Sequence, residues 1–354
     1  MLYDTLKRLL FLLDPETAHS VIASNVGWAT HLGLNRLLCD LPPEDPVTVM
    51  GVRFPNTIGL AAGFDKNADL VTPLGAMGFG HIEVGTTTPL AQPGNPRPRC
   101  FRIVEHQAII NRMGFNNVGV EGILKNLEKA APYRLRGGIV GINIEKNART
   151  PIADAASDYV KCMNTAYNAA DYLAVNISSP NTKNLRDLQS EENFDSLLTT
   201  LIETRKALMD RYEKKVPIAV KLAPDLTNED VLRCVDALMA HGIDGVIATN
   251  TTLARPGLDG VAVAQETGGL SGTPLRVRST EVVRLIAEHT KGEFPILASG
   301  GIMTPADALE KIQAGASVVQ LFTGFIYRGP ELITESVKQI AQYRRTLKEN
   351  ASKA

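Results

Sequence analysis

The sequence predicts an α/β fold, a (β/α)8 TIM barrel with an N-terminal two-helix extension, and three observations lead there. Eight short apolar runs recur between residues 58 and 321. Most are separated by a stretch long enough for a helix, the pattern of parallel βα units, and eight such units in about 260 residues suit a closed barrel better than an open sheet. Nearly every run is followed at once by small or polar residues, and in a barrel those strand ends share one face, where active sites sit.

The elements follow in order. Leu2, Leu6, Leu9 and Leu13 recur at helical spacing, and Asp14-Pro15 breaks that helix. The same pair starts a second one, Asp14 at the cap and Pro15 in the first turn. Ala18, Val21, Ile22, Val26, Ala29 and Leu32 form its apolar face, and Gly33 ends it. Residues 41–46 are a linker by composition, which divides a helical extension at 1–40 from a barrel domain at 47–345. Residues 47–54 read as a hairpin across the barrel floor. The eight strand runs are 58–62, 81–85, 139–144, 172–177, 217–222, 245–248, 295–298 and 318–321. Helices are expected at 193–212, 228–241, 279–289 and 305–314.

Composition excludes several classes. With 44% apolar and 21% charged residues the chain is neither disordered nor a multi-span membrane protein. Lys plus Arg (37) nearly balances Asp plus Glu (38), so no nucleic-acid partner is expected. Cys39, Cys100, Cys162 and Cys234 form no CxxC, and the six histidines form no metal-ligand pair; neither a disulfide framework nor a metal site is expected. Lys7-Arg8 and the apolar residues 9–13 look like the start of a signal peptide, but the run stops too early at Asp14. No stretch approaches the ~20 apolar residues that span a bilayer, so the chain is expected to lie on a membrane at most.

The strand-end pocket is expected to hold no His and no carboxylate pair; Asp65 and Asp225 are its only nearby acids. Asn143, Asn176, Asn181 and Asn250 each offer a donor and an acceptor, which suits gripping a flat heterocycle by its amide edges while a cofactor does the hard chemistry. Gly300-Gly301 after the seventh run and Gly324 after the eighth fall where such barrels bind phosphate. A phosphate-bearing flavin with a pyrimidine-like substrate would satisfy these features. Residue chemistry alone reaches a barrel enzyme with a phosphorylated ligand.

Eight blocks, in order, resemble the dihydroorotate dehydrogenases: AAGFDKN at 61–67, GNPRPR at 94–99, NRMGFNN at 111–117, NISSPNT at 176–182, KLAPD at 221–225, ATNTT at 248–252, GGLSG at 268–272 and SGGI at 299–302. Ser179, where the soluble class 1 enzymes place Cys, and the N-terminal helices resemble the quinone-reducing class 2.

The resemblance implies oxidation of dihydroorotate to orotate with FMN and a membrane quinone, in pyrimidine biosynthesis. It makes Ser179 the general base, with Thr182 and Phe115 positioning the water that receives the proton. It gives Lys66, Asn111, Arg112, Met113, Gly114, Phe115, Asn176, Asn181, Asn250 and Thr251 to the substrate. To FMN it gives Ala62, Gly63, Lys66, Thr86, Asn143, Asn176, Lys221, Thr249, Gly272, Gly301, Phe322 and Thr323, the Phe322-Thr323 pair standing where relatives often carry Tyr-Ser. His19 and Arg102 would face the quinone head group in a tunnel built by the first forty residues. With no organelle-targeting segment read, the expected place is the cytoplasmic side of a cell inner membrane, as a peripheral monomer.

Each assignment has a plainer reading. Ser178-Ser179-Pro180-Asn181 is by composition a turn, a strand-end Lys is usually a solvated charge, and amphipathic helices often only cap a core. Three rival functions remain: a class 1 enzyme using fumarate or NAD, a phosphate-binding barrel isomerase or synthase without a redox cofactor, and a non-catalytic scaffold.

Overall fold

In the computed structural model, residues 2–38, 40–182 and 185–352 are described; Cys39 lies outside them. Eight parallel strands close into a barrel: β1 (Ile58–Leu60), β2 (His81–Thr87), β3 (Ile139–Ile144), β4 (Tyr172–Asn176), β5 (Ile218–Leu222), β6 (Gly245–Ala248), β7 (Ile296–Ser299) and β8 (Val318–Leu321). Each pairs with its neighbours in sequence, and β8 returns to β1 through Gln320 opposite Gly59. Nearly every strand residue is buried, because helices cover the outside and side chains fill the inside. That double burial is why the strands read as continuous apolar runs.

Two strand ends differ from the expected runs by two residues, and the runs at 172–177, 217–222 and 295–298 differ by one at one or both ends. β1 stops at Leu60; Ala61 still donates to Leu321, but Gly63 N then turns to Gly85 O at 2.7 Å. β2 extends to Thr87 because a register shift between Val84 and Thr87 lets the chain bulge and then pair again with Ile144. The expected helices are present as Glu191–Tyr212, Asn228–Ala240, Arg276–His289 and Pro305–Gln313. The last begins with a reciprocal capping box between Thr304 and Asp307.

The floor is closed by an antiparallel hairpin, Val47–Val49 with Val52–Phe54. Val49 and Phe54 enter a cluster with Tyr172, Ala174, Ala219, Ile247, Leu297 and Val318. The ring of His81 meets Phe54 edge-on at 5.1 Å and lies where a Cβ on Gly59 would be, 2.1 Å away, so glycine is required there. A larger apolar core fills the space between strands and outer helices.

Two features cover the mouth. One is a three-stranded antiparallel sheet, Cys100–Ile103, Ala108–Asn111 and Gly269–Gly272, which the sequence reading does not contain. The other is the helical pair α1 (Leu2–Phe11) and α2 (Pro15–His31). Asp14 caps α2, accepting from Glu16 N and Thr17 N, and Gly33 takes the left-handed conformation just beyond its end. α1 buries no residue completely. It is tied down by Tyr3, which donates to Ile326 O at 2.7 Å, and by Lys7, which donates to Tyr327 O at 2.9 Å. Leu9, Leu12 and Trp28 remain 60, 82 and 64% exposed, an uncovered apolar surface on both helices. No helix among the described residues is long and apolar enough to cross a membrane.

His81 is wholly buried, and neither ring nitrogen has a hydrogen-bond partner. Burial therefore pushes its pKa down from 6.5 to about 3. Between those values only the unfolded chain takes up the proton, so acid favours unfolding. The expected outcome is a stability loss of about 1.4 kcal/mol per pH unit from this one group as pH falls through that window. Urea titrations of the wild type and His81→Leu at pH 7, 5 and 4 check it: the variant lacks that component, and equal slopes would assign acid sensitivity elsewhere.

Candidate active site

Because all eight strands run the same way, their C-terminal ends open into one space. Strand ends, antiparallel sheet, α1 and α2 together enclose a cavity of about 780 Å³. β1 leads into Ala62, Gly63 and Lys66; β2 supplies Thr86; β4 leads into Asn176, Ser179 and Asn181; β5 supplies Lys221. β6 leads into Thr249, Asn250 and Thr251, β7 into Gly301, and β8 into Phe322 and Thr323. The sheet adds Asn111 and Gly272, the loop after it Met113, Gly114 and Phe115. His19 and Arg102 line the part beneath the helices.

Three expected residues, Asn143, Arg112 and the buried Thr182, are not on the cavity wall. Asn143 lies one step behind it, its Oδ1 accepting from the Thr86 hydroxyl at 2.6 Å. Arg112 points elsewhere: it binds Glu266 at 2.6 Å, donates to Pro98 O at 3.0 Å, and covers the ring of Phe101. Asn111 faces the cavity, and the next residue beyond a strand faces the opposite way.

The amides form a linked set. Asn176 Nδ2 donates to Thr86 Oγ1 and Asn250 Nδ2 to Asn176 Oδ1, both at 3.3 Å. Asn250 Nδ2 also reaches Ser178 Oγ at 3.0 Å, and Asn181 Nδ2 reaches Asn111 Oδ1 at 3.3 Å. Ser179 is 4% exposed, and its Oγ accepts from Asn181 N at 3.1 Å. That bond occupies one lone pair of Oγ and leaves the hydroxyl proton free to be donated elsewhere. The loop is thus both a turn and a means of presenting one hydroxyl to the cavity.

Two ammonium groups face the same space, Lys221 buried and Lys66 part-buried. Lys66 donates to Gly63 O at 2.6 Å; burial lowers its pKa. Burial also lowers that of Lys221, opposed by the charge of Glu83. Two cations facing one cavity favour an anionic or acceptor-rich ligand. The nearby acids are occupied with structure. Asp65 accepts from Asp69 N and Leu70 N, and burial, with Asp69 close by, raises its pKa to about 7. Asp225 is held by Arg186 at 2.8 Å and by Thr252.

Under the helices the cavity becomes largely apolar. His19 Nε2 is 2.8 Å from Phe64 O, and its ring meets that of Phe64 edge-on. Burial lowers the His19 pKa, so the imidazole is neutral near pH 7. Arg102 lies over the Phe11 ring, 4.5 Å from its centre, and donates to Leu13 O at 2.9 Å.

Sequence reasoning missed two groups. Glu16, read only as part of a helix start, forms an ion pair with Arg99 at 3.1 Å and joins α2 to the loop below. Glu83 lies fully buried inside the barrel beside Tyr172 and Gln320. Its signal was present: an acid two residues after His81 in an apolar strand lies on the same face.

Comparison with known proteins gives a consistent result. The family model described as Dihydroorotate dehydrogenase matches residues 46–343. A protein of Teredinibacter turnerae named dihydroorotate dehydrogenase (quinone) is 52% identical over 340 residues, 96% of this chain and 99% of that one. A Marinomonas protein of the same name is 50% identical over 346 residues, 98% and 99% of the two chains. The crystal structure of a DHODH from Eimeria tenella in complex with ferulenol superposes with a TM-score of 0.84 at 38% identity, covering 96% of this chain and 93% of that one.

The Glu16–Arg99 pair is shielded, with side chains 12 and 7% exposed. Glu16→Ala is expected to cost roughly 1.5–3 kcal/mol of the attachment of α2, the range for a hydrogen bond to a charged group. Hydrogen exchange checks it: α2 amides should lose protection while those of the barrel strands do not.

Proposed function

From the premise that the chain belongs to the dihydroorotate dehydrogenase family, as a quinone-dependent member, we propose how its cavity divides the work. The enzyme oxidises dihydroorotate to orotate, with a quinone as final electron acceptor, in pyrimidine biosynthesis. One observation carries the division: a single cavity joins the amide-lined barrel mouth to an apolar passage under α1 and α2.

The residues present fit FMN. The buried Lys221 suits the electron-rich edge of a flavin ring, with Thr86, Thr249 and the backbone at Ala62-Gly63 around the ring and Asn143 behind Thr86. Gly272, Gly301, Phe322 and Thr323 would hold the ribityl-phosphate end. Gly301 packs where a Cβ would be 2.3 Å from the Arg276 backbone, so the chain runs close to the start of the Arg276–His289 helix, and amide donors gather there. When bound, FMN supplies the two-electron redox chemistry that couples dihydroorotate to quinone.

The protein's own residues bind, orient and move a proton. Lys66 takes the substrate carboxylate, and Asn111, Asn176, Asn181, Asn250 and Thr251 take the ring amides and carbonyls. Met113, Gly114 and Phe115 cover the substrate, Arg112 contributing through its backbone. Ser179 removes the proton from C5. A lone serine is a weak base, so the proton passes on to water held by Thr182 and Phe115. His19 and Arg102 meet the quinone head group. The exposed apolar residues of α1 and α2, with Arg8 beside them, rest on the lipid interface, which makes residues 1–40 a peripheral anchor. We place the enzyme, as a monomer, on the cytoplasmic side of an inner membrane.

The test separates the half-reactions. Protein purified in mild detergent is mixed anaerobically with dihydroorotate, and the flavin absorbance is followed before and after a soluble quinone. Bleaching followed by recovery is expected; recovery with fumarate or NAD but not quinone would overturn the acceptor. Ser179→Ala is expected to slow bleaching by about 100-fold or more, in the range for loss of a general base, and to leave recovery unchanged. Equal slowing of both phases would remove Ser179 from proton transfer.

A further inference from the structure

Glu83 sits on β2, wholly buried in the barrel interior and one step below the cavity. Three donors converge on it. Asn143 Nδ2 reaches Oε1 at 2.7 Å; the Tyr172 hydroxyl and Gln320 Nε2 reach Oε2 at 3.0 and 2.8 Å. An ionised carboxylate only accepts, so Asn143 has one usable orientation: its amide nitrogen toward Glu83 and its oxygen away. That oxygen takes the Thr86 hydroxyl proton at 2.6 Å. With its proton committed, Thr86 can only accept from Asn176 Nδ2, at 3.3 Å. Asn176 is then turned so that its oxygen accepts from Asn250 Nδ2, at 3.3 Å. Asn143 and Thr86 follow from Glu83; Asn176 and Asn250 are held the same way round by the backbone as well, Ser178 N donating to Asn176 Oδ1 at 3.2 Å and Thr251 N to Asn250 Oδ1 at 2.8 Å.

We propose that Glu83 is a positioning residue that sets the direction of hydrogen bonding along Asn143 and Thr86 and, through the bond Thr86 accepts from Asn176, reinforces the orientation of Asn176 and Asn250, so that the site presents fixed donors and acceptors to the ligands. The inference rests on the reading of the cavity given above. An amide can flip at little cost in size, and a site built of amides and hydroxyls needs something that cannot flip to orient it. A carboxylate at the closed end of the chain does this, and its charge also favours the ammonium form of Lys221 against burial. Glu83 touches no ligand. It acts through the side chains above it.

A carboxylate that merely ties β2 to β4 and β8 would matter to stability alone, so the test separates ligand affinity from stability. The holoprotein is compared with E83Q, E83D and Y172F; the Tyr172 hydroxyl meets only the carboxylate oxygen away from Asn143, and otherwise accepts from Gln320. Orotate affinity is read from the flavin absorbance, FMN affinity from fluorescence on release, and stability from the melting temperature. E83Q puts a donor where only acceptors belong. It is expected to weaken orotate and FMN by about tenfold each, the scale of one misplaced buried hydrogen bond. E83D keeps an acceptor-only group and should bind orotate several-fold better than E83Q. Y172F should lower the melting temperature yet leave both affinities within about twofold. If E83Q does not fold, E83D against Y172F decides, a larger affinity loss in E83D being expected. Unchanged affinities in E83Q, or equal losses in E83Q and Y172F, would overturn the proposal. A wild-type protein that holds neither FMN nor orotate overturns the cavity reading with it.

Discussion

Eight parallel strands closed on themselves must release their C-terminal ends at one mouth. That constraint collects strand-end residues from 62 to 323 of the chain around a single cavity. It also explains the division of labour along each strand. The lower half is filled by Phe54, Ile247, Leu297 and their neighbours, which hold the barrel closed. The upper half and the first turn beyond it are left for polar side chains.

Polar groups inside a barrel are costly unless they satisfy one another. Here Glu83, Tyr172, Gln320 and Asn143 bond among themselves between the apolar floor and the cavity. His81, one layer lower, has no partner, and its burial is tolerated because neutral imidazole is the form that persists there. The interior is therefore graded, from apolar through a closed polar layer to an open polar mouth. Ligand-facing side chains stand on a layer that is bonded internally except at Gln320 Oε1, which has no partner.

The barrel was legible because strands buried on both faces read as unbroken apolar runs, as 139–144 and 318–321 do. The sheet at the mouth was not. Its strands are four residues each and join Asn111 to Gly269 across the chain, a pairing no local pattern announces. The cavity was legible as a set of strand ends, but not the direction in which each side chain points. NRMGFNN reads as one motif, yet Asn111 faces the cavity and Arg112 turns to Glu266. Asn143 looked like a contact and lies behind one, because the bulge in β2 brings Thr86 in front of it. Glu83 was passed over since an acid within an apolar run suggests no ligand until its partners are seen.

The attachment of α1 is thin by comparison with everything beneath it. A helix of ten residues with no fully buried side chain draws little free energy from the hydrophobic effect, and so short a helix is marginal in water by itself. Its opening free energy must therefore lie far below that of the strands, and the molecule has two thresholds of order: a barrel that persists, and a cap that comes and goes above it. Any surface that covers the bare leucines of α1 would add its own adhesion to the lower threshold alone. Occupancy of the passage beneath α1 would then depend on where the protein rests, while the barrel mouth would keep its shape in either place.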